Sequence, residues 1–194
     1  MDKIIFATNN IHKLAEVRQI IGQKLNILSL EDAGITADIP EDHQTLDENA
    51  VQKAQFIFKK TGIACFADDT GLEVEALNGL PGVYSARYAG EAKRSSDNVN
   101  KLLEELKNSE NRRAQFRCVI AFVSDKETKL FEGVVKGQIT RKPSGNGGFG
   151  YDPVFIPEGY SSTFAELKPE IKNSISHRAV AAAKLAGYLK NKIL

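Results

Sequence analysis

Short apolar runs alternate with stretches of helical periodicity along this chain, and that alternation leaves few folds open. "KIIFAT" (3–8) reads as a buried strand and passes through "NN" into "IHKLAEVRQIIG", where Ile11, Leu14, Val17, Ile20 and Ile21 recur at helical spacing until Gly22 stops them. "LNILSL" (25–30) predicts a second short strand. "TLDENAVQKAQFIFKKTG" (45–62) predicts a helix with Leu46, Ala50, Ala54 and Ile57 on one face and Gly62 at its end. "IACFA" and "LEVEAL" predict strands broken by a turn at "DDTG", and the loop "NGLPGVYSARYAGE" leads into a capped helix at "SSDNVNKLLEELKN". Two long strands follow, "AQFRCVIAFVSD" and "KLFEGVVKGQITR", best paired antiparallel across a short charged turn. "SISHRAVAAAKLAGYLKNK" closes the chain as one long helix. Interleaved strands and helices with an antiparallel pair make an α/β fold with a mixed sheet. The 194 residues suit one domain, whose long loops are expected to line a cleft between two lobes.

The charge balance excludes some partners. With 26 basic and 25 acidic residues the net charge is +1, whereas a protein that tracks a nucleic-acid backbone needs a basic surplus. Any bound anion is therefore expected to be small and held locally. Cys65 and Cys118 lie in apolar runs without metal-ligand or disulfide spacing and read as buried free thiols of a reduced cytosol. No run approaches the length of a membrane span, and the first apolar run is too short for a signal segment, so a cytoplasmic location is expected.

Several cations sit where helix electrostatics disfavour them. Lys13 falls in the first turn after "TNN", and His177 with Arg178 opens the last helix after "NSIS", although a helix N-terminus carries partial positive charge. Either these side chains point to solvent, or a bound anion or polar ligand compensates them. Strand, polar turn and helix is also a geometry in which backbone N–H groups hold phosphate, with Thr8, Asn9, Asn10 and Lys13 as donors here. Lys53 lies at the border of an apolar stripe beside Asn49, and Arg178 inside the stripe of Ala181, Leu185 and Tyr188. Each needs a partner if it points inward.

Carboxylates are available to complement them. Asp68 and Asp69 are adjacent, so on a strand they face opposite ways and only one reaches a given site. Glu41 and Glu48 are the other acidic candidates. Carboxylates together with phosphate-binding donors suit Mg²⁺, while a purely structural Asx-type turn at "DDTG" fits equally well. In "GNGGFGYDPVF" (145–155), four glycines within six residues mark backbone that turns sharply or lies very close to something. Phe149 and Tyr151 offer flat surfaces to a planar ligand, or else they plug the core under a surface hairpin.

In order along nearly the whole chain, "TNNIHKLAEV", "LDENAVQKA", "ADDTGLEVEALNGLPGVYSARYAG", "GGFGYDPVF" and "SHR" resemble the inosine triphosphate pyrophosphatase family, hydrolases of non-canonical purine nucleoside triphosphates. Two small departures stand out: "TNN" replaces a sequence with a central glycine in many members, and "DDT" replaces "DDS", keeping a hydroxyl. The resemblance implies an elongated mixed β-sheet flanked by helices, two lobes with an active-site cleft between them, and a homodimer. It implies Mg²⁺-dependent hydrolysis of ITP, dITP or XTP to the monophosphate and pyrophosphate, with no nucleic-acid or membrane partner. By position it implies that Thr8, Asn9, Asn10, Ile11, His12, Lys13 and Lys53 bind the triphosphate. Glu41 and Asp69 would hold metal, with Asp69 the catalytic proton acceptor and Thr70 beside it. Phe149, Gly150, Tyr151, Asp152, Lys172, His177 and Arg178 would hold base and sugar, and Arg87 and Asp68 are further candidates. The alternatives are a related pyrophosphatase for modified pyrimidine or methylated nucleotides, and a non-catalytic nucleotide sensor, which would not need the retained carboxylates.

Overall fold

The computed structural model describes residues 3–22, 25–36 and 38–193. Strand β1 (Ile4–Phe6) leads into helix α1 (Ile11–Ile21), followed by β2 (Ile27–Leu28) and α2 (Leu46–Thr61). Then come β3 (Cys65–Val74), β4 (Pro81–Gly82), α3 (Ser95–Glu105), β5 (Arg113–Val123) and β6 (Thr128–Ile139). β7 (Phe155–Pro157), α4 (Pro169–Ile175) and α5 (His177–Ile193) complete the order. The strands form one mixed seven-stranded sheet in the order β2-β1-β3-β5-β6-β7, with β4 on β3. β1 pairs parallel with β2 (Ile4 opposite Ile27) and with β3 (Ile5 opposite Cys65). β4 and β7 pair antiparallel with β3 and β6, with Leu72 opposite Gly82 and Ile139 opposite Phe155.

Two compact units share the chain, and the division falls inside β3, β5 and β6. The first comprises Met1–Asp69, Cys118–Gly133 and His177–Leu194; the second comprises Thr70–Arg117 and Val134–Ser176. In the first, Ile4, Phe6 and Phe66 of the sheet pack with Val17 and Ile21 of α1 and with Ala181, Ala182 and Leu185 of α5. In the second, Leu72, Val74 and Phe116 pack with Val99 and Leu102 of α3 and with Tyr151, Phe155 and Phe164. Cys65 and Cys118 are free and buried as expected, and burial pushes the Cys65 thiol up to about 12, which keeps it inert. Among the described residues no helix is long and apolar enough to cross a membrane.

Local chemistry accounts for the helix placed best from sequence. The Thr45 hydroxyl caps α2 by accepting from the Glu48 N–H at 3.2 Å, and Gly62 ends it in the left-handed region. Four expectations need correction. The carboxylate turn is absent: Asp68 and Asp69 lie in the middle of an unbroken β3, because each finds cations that neutralise it inside the sheet. α3 begins after Arg94 without a side-chain cap. The closing helix starts at His177, as the placement of its opening cations has it, but the "SIS" included with it lies outside, and residues 169–175 form a separate short helix opened by Pro169. Ile11, counted in the apolar stripe of α1, is 74% exposed at the first helical position, while Val17 and Ile21 carry the burial.

Candidate active site

Helix α2 delivers Lys53 inward. Its apolar face of Leu46, Ala50, Ala54 and Ile57 is fully buried, and Lys53, only 5% exposed, lies with Asn49 beside it. The Lys53 ammonium donates to Glu41 Oε1 at 2.6 Å and to Asp69 Oδ1 at 3.0 Å. Asn49 Nδ2 donates to the other Asp69 oxygen at 3.3 Å, and Asn49 is itself fixed by accepting from the His43 N–H at 2.9 Å. Burial works against the lysine charge, but Asp69, Glu41 and Asp68 together hold its pKa above the ordinary value.

One residue earlier on β3, Asp68 faces a different set. It accepts from the Lys13 ammonium of α1 at 3.1 Å and from Arg178 Nε of α5 at 3.2 Å. Arg178, 1% exposed, also donates to Glu16 of α1, so one guanidinium ties α1, β3 and α5 together. The strand alternation expected from sequence is thus realised, and it separates two chemistries. Asp68 is fully buried, yet Lys13 and Arg178 outweigh that burial and hold its carboxyl well below the usual range. Asp69 is pushed the other way, because burial, reinforced by Glu41, outweighs Lys53 and Lys13. Adjacent carboxylates are thus shifted in opposite directions by their different neighbours.

The segment 8–13 is organised around its own cap. Asn10 Oδ1 accepts from the His12 and Lys13 N–H groups at 3.0 and 3.2 Å, and Thr8 Oγ1 accepts from the Asn10 N–H at 3.1 Å. Asn10 thus caps the helix through Oδ1, which leaves its Nδ2 group as a donor, while Asn9, Ile11 and His12 are exposed. His177 is buried at the start of α5 next to Arg178.

The second unit holds the glycine segment. Phe149 is half-buried, and the Lys172 ammonium lies 4.9 Å from its ring centroid. Tyr151 belongs to the core: it is 4% exposed, and its hydroxyl donates to the Ser85 carbonyl at 2.9 Å. Of the two rings offered to a ligand, only Phe149 is therefore accessible. Asp152 is buried and committed, with Oδ2 accepting from Lys172 Nζ at 2.7 Å and from the Phe149 N–H at 2.8 Å. Three of the four glycines, Gly145, Gly147 and Gly148, lie very close to the protein itself, and Gly150 has open space where a Cβ would stand. A Cβ on Gly148 (φ +68°) would stand 2.0 Å from Asp152 Oδ2, and those on Gly145 and Gly147 would meet the Ala165 backbone at 2.6 and 2.8 Å. Thr70 is half-buried on β3. Arg87 lies with its guanidinium carbon 5.4 Å from the Tyr84 ring centroid.

Among the described residues no group of three or more His, Cys, Asp or Glu side chains could hold a metal by itself. The Glu41–Asp69 pair nevertheless has the right character for a hard cation. Both carboxylates already converge on one ammonium, so the group of Glu41, Lys53 and Asp69 sets two carboxylates against one cation. Few protein carboxylates with the remaining positions filled by phosphate and water is the usual magnesium arrangement.

Comparison with known proteins decides the family. The Ham1 family model matches residues 4–188. The chain belongs to the Ham1 family. It is 54% identical over 190 residues to a protein of Porphyromonas gingivalis named dITP/XTP pyrophosphatase, covering 97% of this chain and 98% of the relative. A Flavobacterium johnsoniae protein of the same name is 51% identical over 187 residues, covering 96% and 97%. Among solved structures, the Ham1 protein of Staphylococcus aureus superposes with a TM-score of 0.89 at 41% identity over 98% of this chain and 99% of that one. The Coxiella burnetii HAM1 protein gives 0.90 at 38% identity, covering 98% and 100%. The resemblance seen in the ordered motifs is thereby borne out.

Two residues of this Ham1 protein take part in the cluster without having been marked by sequence as partners. Glu16 follows Lys13 by one helical turn, which puts it on the same side of α1, but its bond with Arg178 of α5 is a tertiary contact. Asn49 falls beside Lys53 by helical spacing, but its hydrogen bond to Asp69 crosses from helix to sheet, which local periodicity cannot disclose.

Proposed function

We propose that this Ham1 protein hydrolyses dITP, ITP and XTP to the monophosphate and pyrophosphate, the activity named for its relatives. The observation that carries the reading is the buried group formed by Glu41, Lys53, Asn49 and Asp69, in which a lysine and a carboxylate of raised pKa stand together. Lys13 and Lys53 bind phosphate oxygens as point charges, assisted by Thr8 to His12. Asp69 accepts the proton of the attacking water; it is the member of the aspartate pair able to do so, since Asp68 is locked in its ionised form. Glu41 and Asp69 would hold Mg²⁺, which when bound neutralises charge developing on the phosphates.

Base recognition falls to Phe149 as the stacking surface, with Gly150, Tyr151, Asp152 and Lys172 supporting its segment, and to the start of α5. Hypoxanthine and xanthine carry a carbonyl where adenine carries an amine. His177, Arg178 and the N–H groups of their helix start are donors suited to that carbonyl and opposed to the amine. Sites built on such pairing discriminate by about 10⁴-fold or more. Thr70 lies beside Asp69 in sequence and supplies a hydroxyl. The two units are read as lobes of one catalytic domain, the family resemblance adds a homodimer, and the buried free thiols support a cytoplasmic location.

Pyrophosphate release from ITP, dITP, XTP and ATP, with and without Mg²⁺, tests the reading. Release from the first three with Mg²⁺ and little from ATP is expected; a pyrimidine or methylated-nucleotide preference, or no turnover, would overturn it. Arg178→Ala is expected to narrow the ITP-to-ATP ratio mainly by slowing ITP.

A further inference from the structure

The second unit contains a buried hydrogen-bond junction that the chemistry above does not use. The Ser85 carbonyl accepts from the Tyr151 hydroxyl at 2.9 Å and from Asn98 Nδ2 at 3.3 Å. Asn98 Nδ2 also donates to the Ala86 carbonyl at 3.0 Å, and Asn98 Oδ1 accepts from the Ala89 N–H at 2.7 Å. The Ser85 hydroxyl accepts from the Leu72 N–H of β3 at 2.9 Å and donates to the Gly82 carbonyl at 2.6 Å. Ser85, Asn98 and Tyr151 are all buried.

Helix α3 commits a whole face to this turn. Three positions beyond Asn98, the Lys101 ammonium donates to the Tyr88 carbonyl at 2.8 Å and lies 4.3 Å from the centroid of its ring. A further turn along, Glu105 accepts from the Tyr88 hydroxyl. Residues spaced this way line one side of a helix, so residues 85–89 are gripped at their backbone and at one ring. A buried turn needs partners for its carbonyls and N–H groups, but one such partner here, Tyr151, comes from the glycine segment.

We propose that Asn98 and Tyr151 are positioning residues for the base-binding segment Phe149–Asp152, joined through the Ser85 carbonyl. Tyr151 stands between Gly150, whose φ is +64°, and Asp152, whose carboxylate holds Phe149 and Lys172. Anchoring its hydroxyl fixes where a glycine-rich and otherwise pliable segment presents the Phe149 ring. Asn98 fixes the carbonyl to which that hydroxyl is anchored. The inference rests on reading Phe149–Asp152 as the base site.

Two variants test it. Tyr151→Phe removes one hydroxyl and leaves the ring in the core. Asn98→Asp keeps the acceptor for Ala89 but sets a carboxylate oxygen against the Ser85 and Ala86 carbonyls. The KM for ITP is expected to rise about fivefold in Tyr151→Phe and about tenfold in Asn98→Asp, with kcat within about twofold of wild type. The double variant should fall short of the product of the two, because both act on one carbonyl. Hydrogen exchange at the Phe149–Asp152 amides should quicken in each variant. Unchanged KM together with exchange altered only at residues 85–89 would overturn the proposal and reduce the junction to core packing. Should Asn98→Asp fail to fold, Tyr151→Phe decides by the same criteria. Absence of pyrophosphate release in the wild type would instead sink the functional reading, while the exchange measurement still decides whether the junction holds the segment.

Discussion

Lys53 and Lys172 are both buried lysines, yet they meet different surroundings in their two units. Lys53 is shared between two carboxylates, Glu41 and Asp69. Lys172 pairs with Asp152 and lies against the rings of Phe149 and Phe164, at 4.9 and 5.8 Å. An unbalanced buried charge is costly and persists where a reaction uses it; a balanced pair can serve shape alone. On the proposed reading the first region serves the chemistry, and the second holds a pliable segment in one form.

The sharpest way to break this contrast is to neutralise one aspartate on each side. Asp69→Asn is expected to lower turnover of ITP by about 10²–10⁴-fold while leaving nucleotide binding largely intact, measured by pyrophosphate release and calorimetry. Asp152→Asn should instead raise KM with only a modest fall in kcat. Equal losses of kcat would erase the distinction.

Removing Lys53 strands two carboxylates. Lys53→Met is expected to cost about 3 kcal/mol of stability at neutral pH, read by chemical denaturation. Loss of the lysine charge raises the Asp69 pKa further, so Asp69 becomes neutral at a higher pH and the deficit should shrink as pH falls. A deficit that stays constant with pH would deny the electrostatic origin.

Gly148→Ala tests the second region directly. The new Cβ would collide with the Asp152 carboxylate at a backbone angle that side chains rarely adopt. A loss of about 1–3 kcal/mol is expected, with KM for ITP raised more than kcat is lowered.

The smallest expected effect is a titration shift. In metal-free and nucleotide-free protein, Asp69 should titrate above 3.8, because burial and Glu41 outweigh the nearby lysines. Glu41→Gln removes a like charge and should move that titration downward, as followed by carboxyl carbon NMR. An upward move would contradict the arrangement.

Helix α2 and its lysine were legible because every cue was local. Thr45 caps the start, Gly62 ends it, and the apolar spacing shows on which side Lys53 falls. The placement of Asp68 and Asp69 on opposite faces also follows from strand alternation, although the expected turn did not form. "DDTG" reads as a turn by composition. It is strand because Lys13, Arg178 and Lys53, distant in sequence, neutralise its charges.

By itself, then, the sequence determined the α/β class, the buried cations, the family motifs and the residues eligible for chemistry. These follow from periodicity, capping and charge sign over a few neighbouring residues. Only the tertiary structure decided which carboxylate meets which cation, and hence that Asp68 is held ionised while Asp69 is raised. It also decided that Gly145, Gly147 and Gly148 make room for Ala165 and Asp152. Such outcomes depend on distances between segments far apart in the chain. Burial then magnifies those distances, because a charge removed from water responds strongly to whatever lies within a few ångströms.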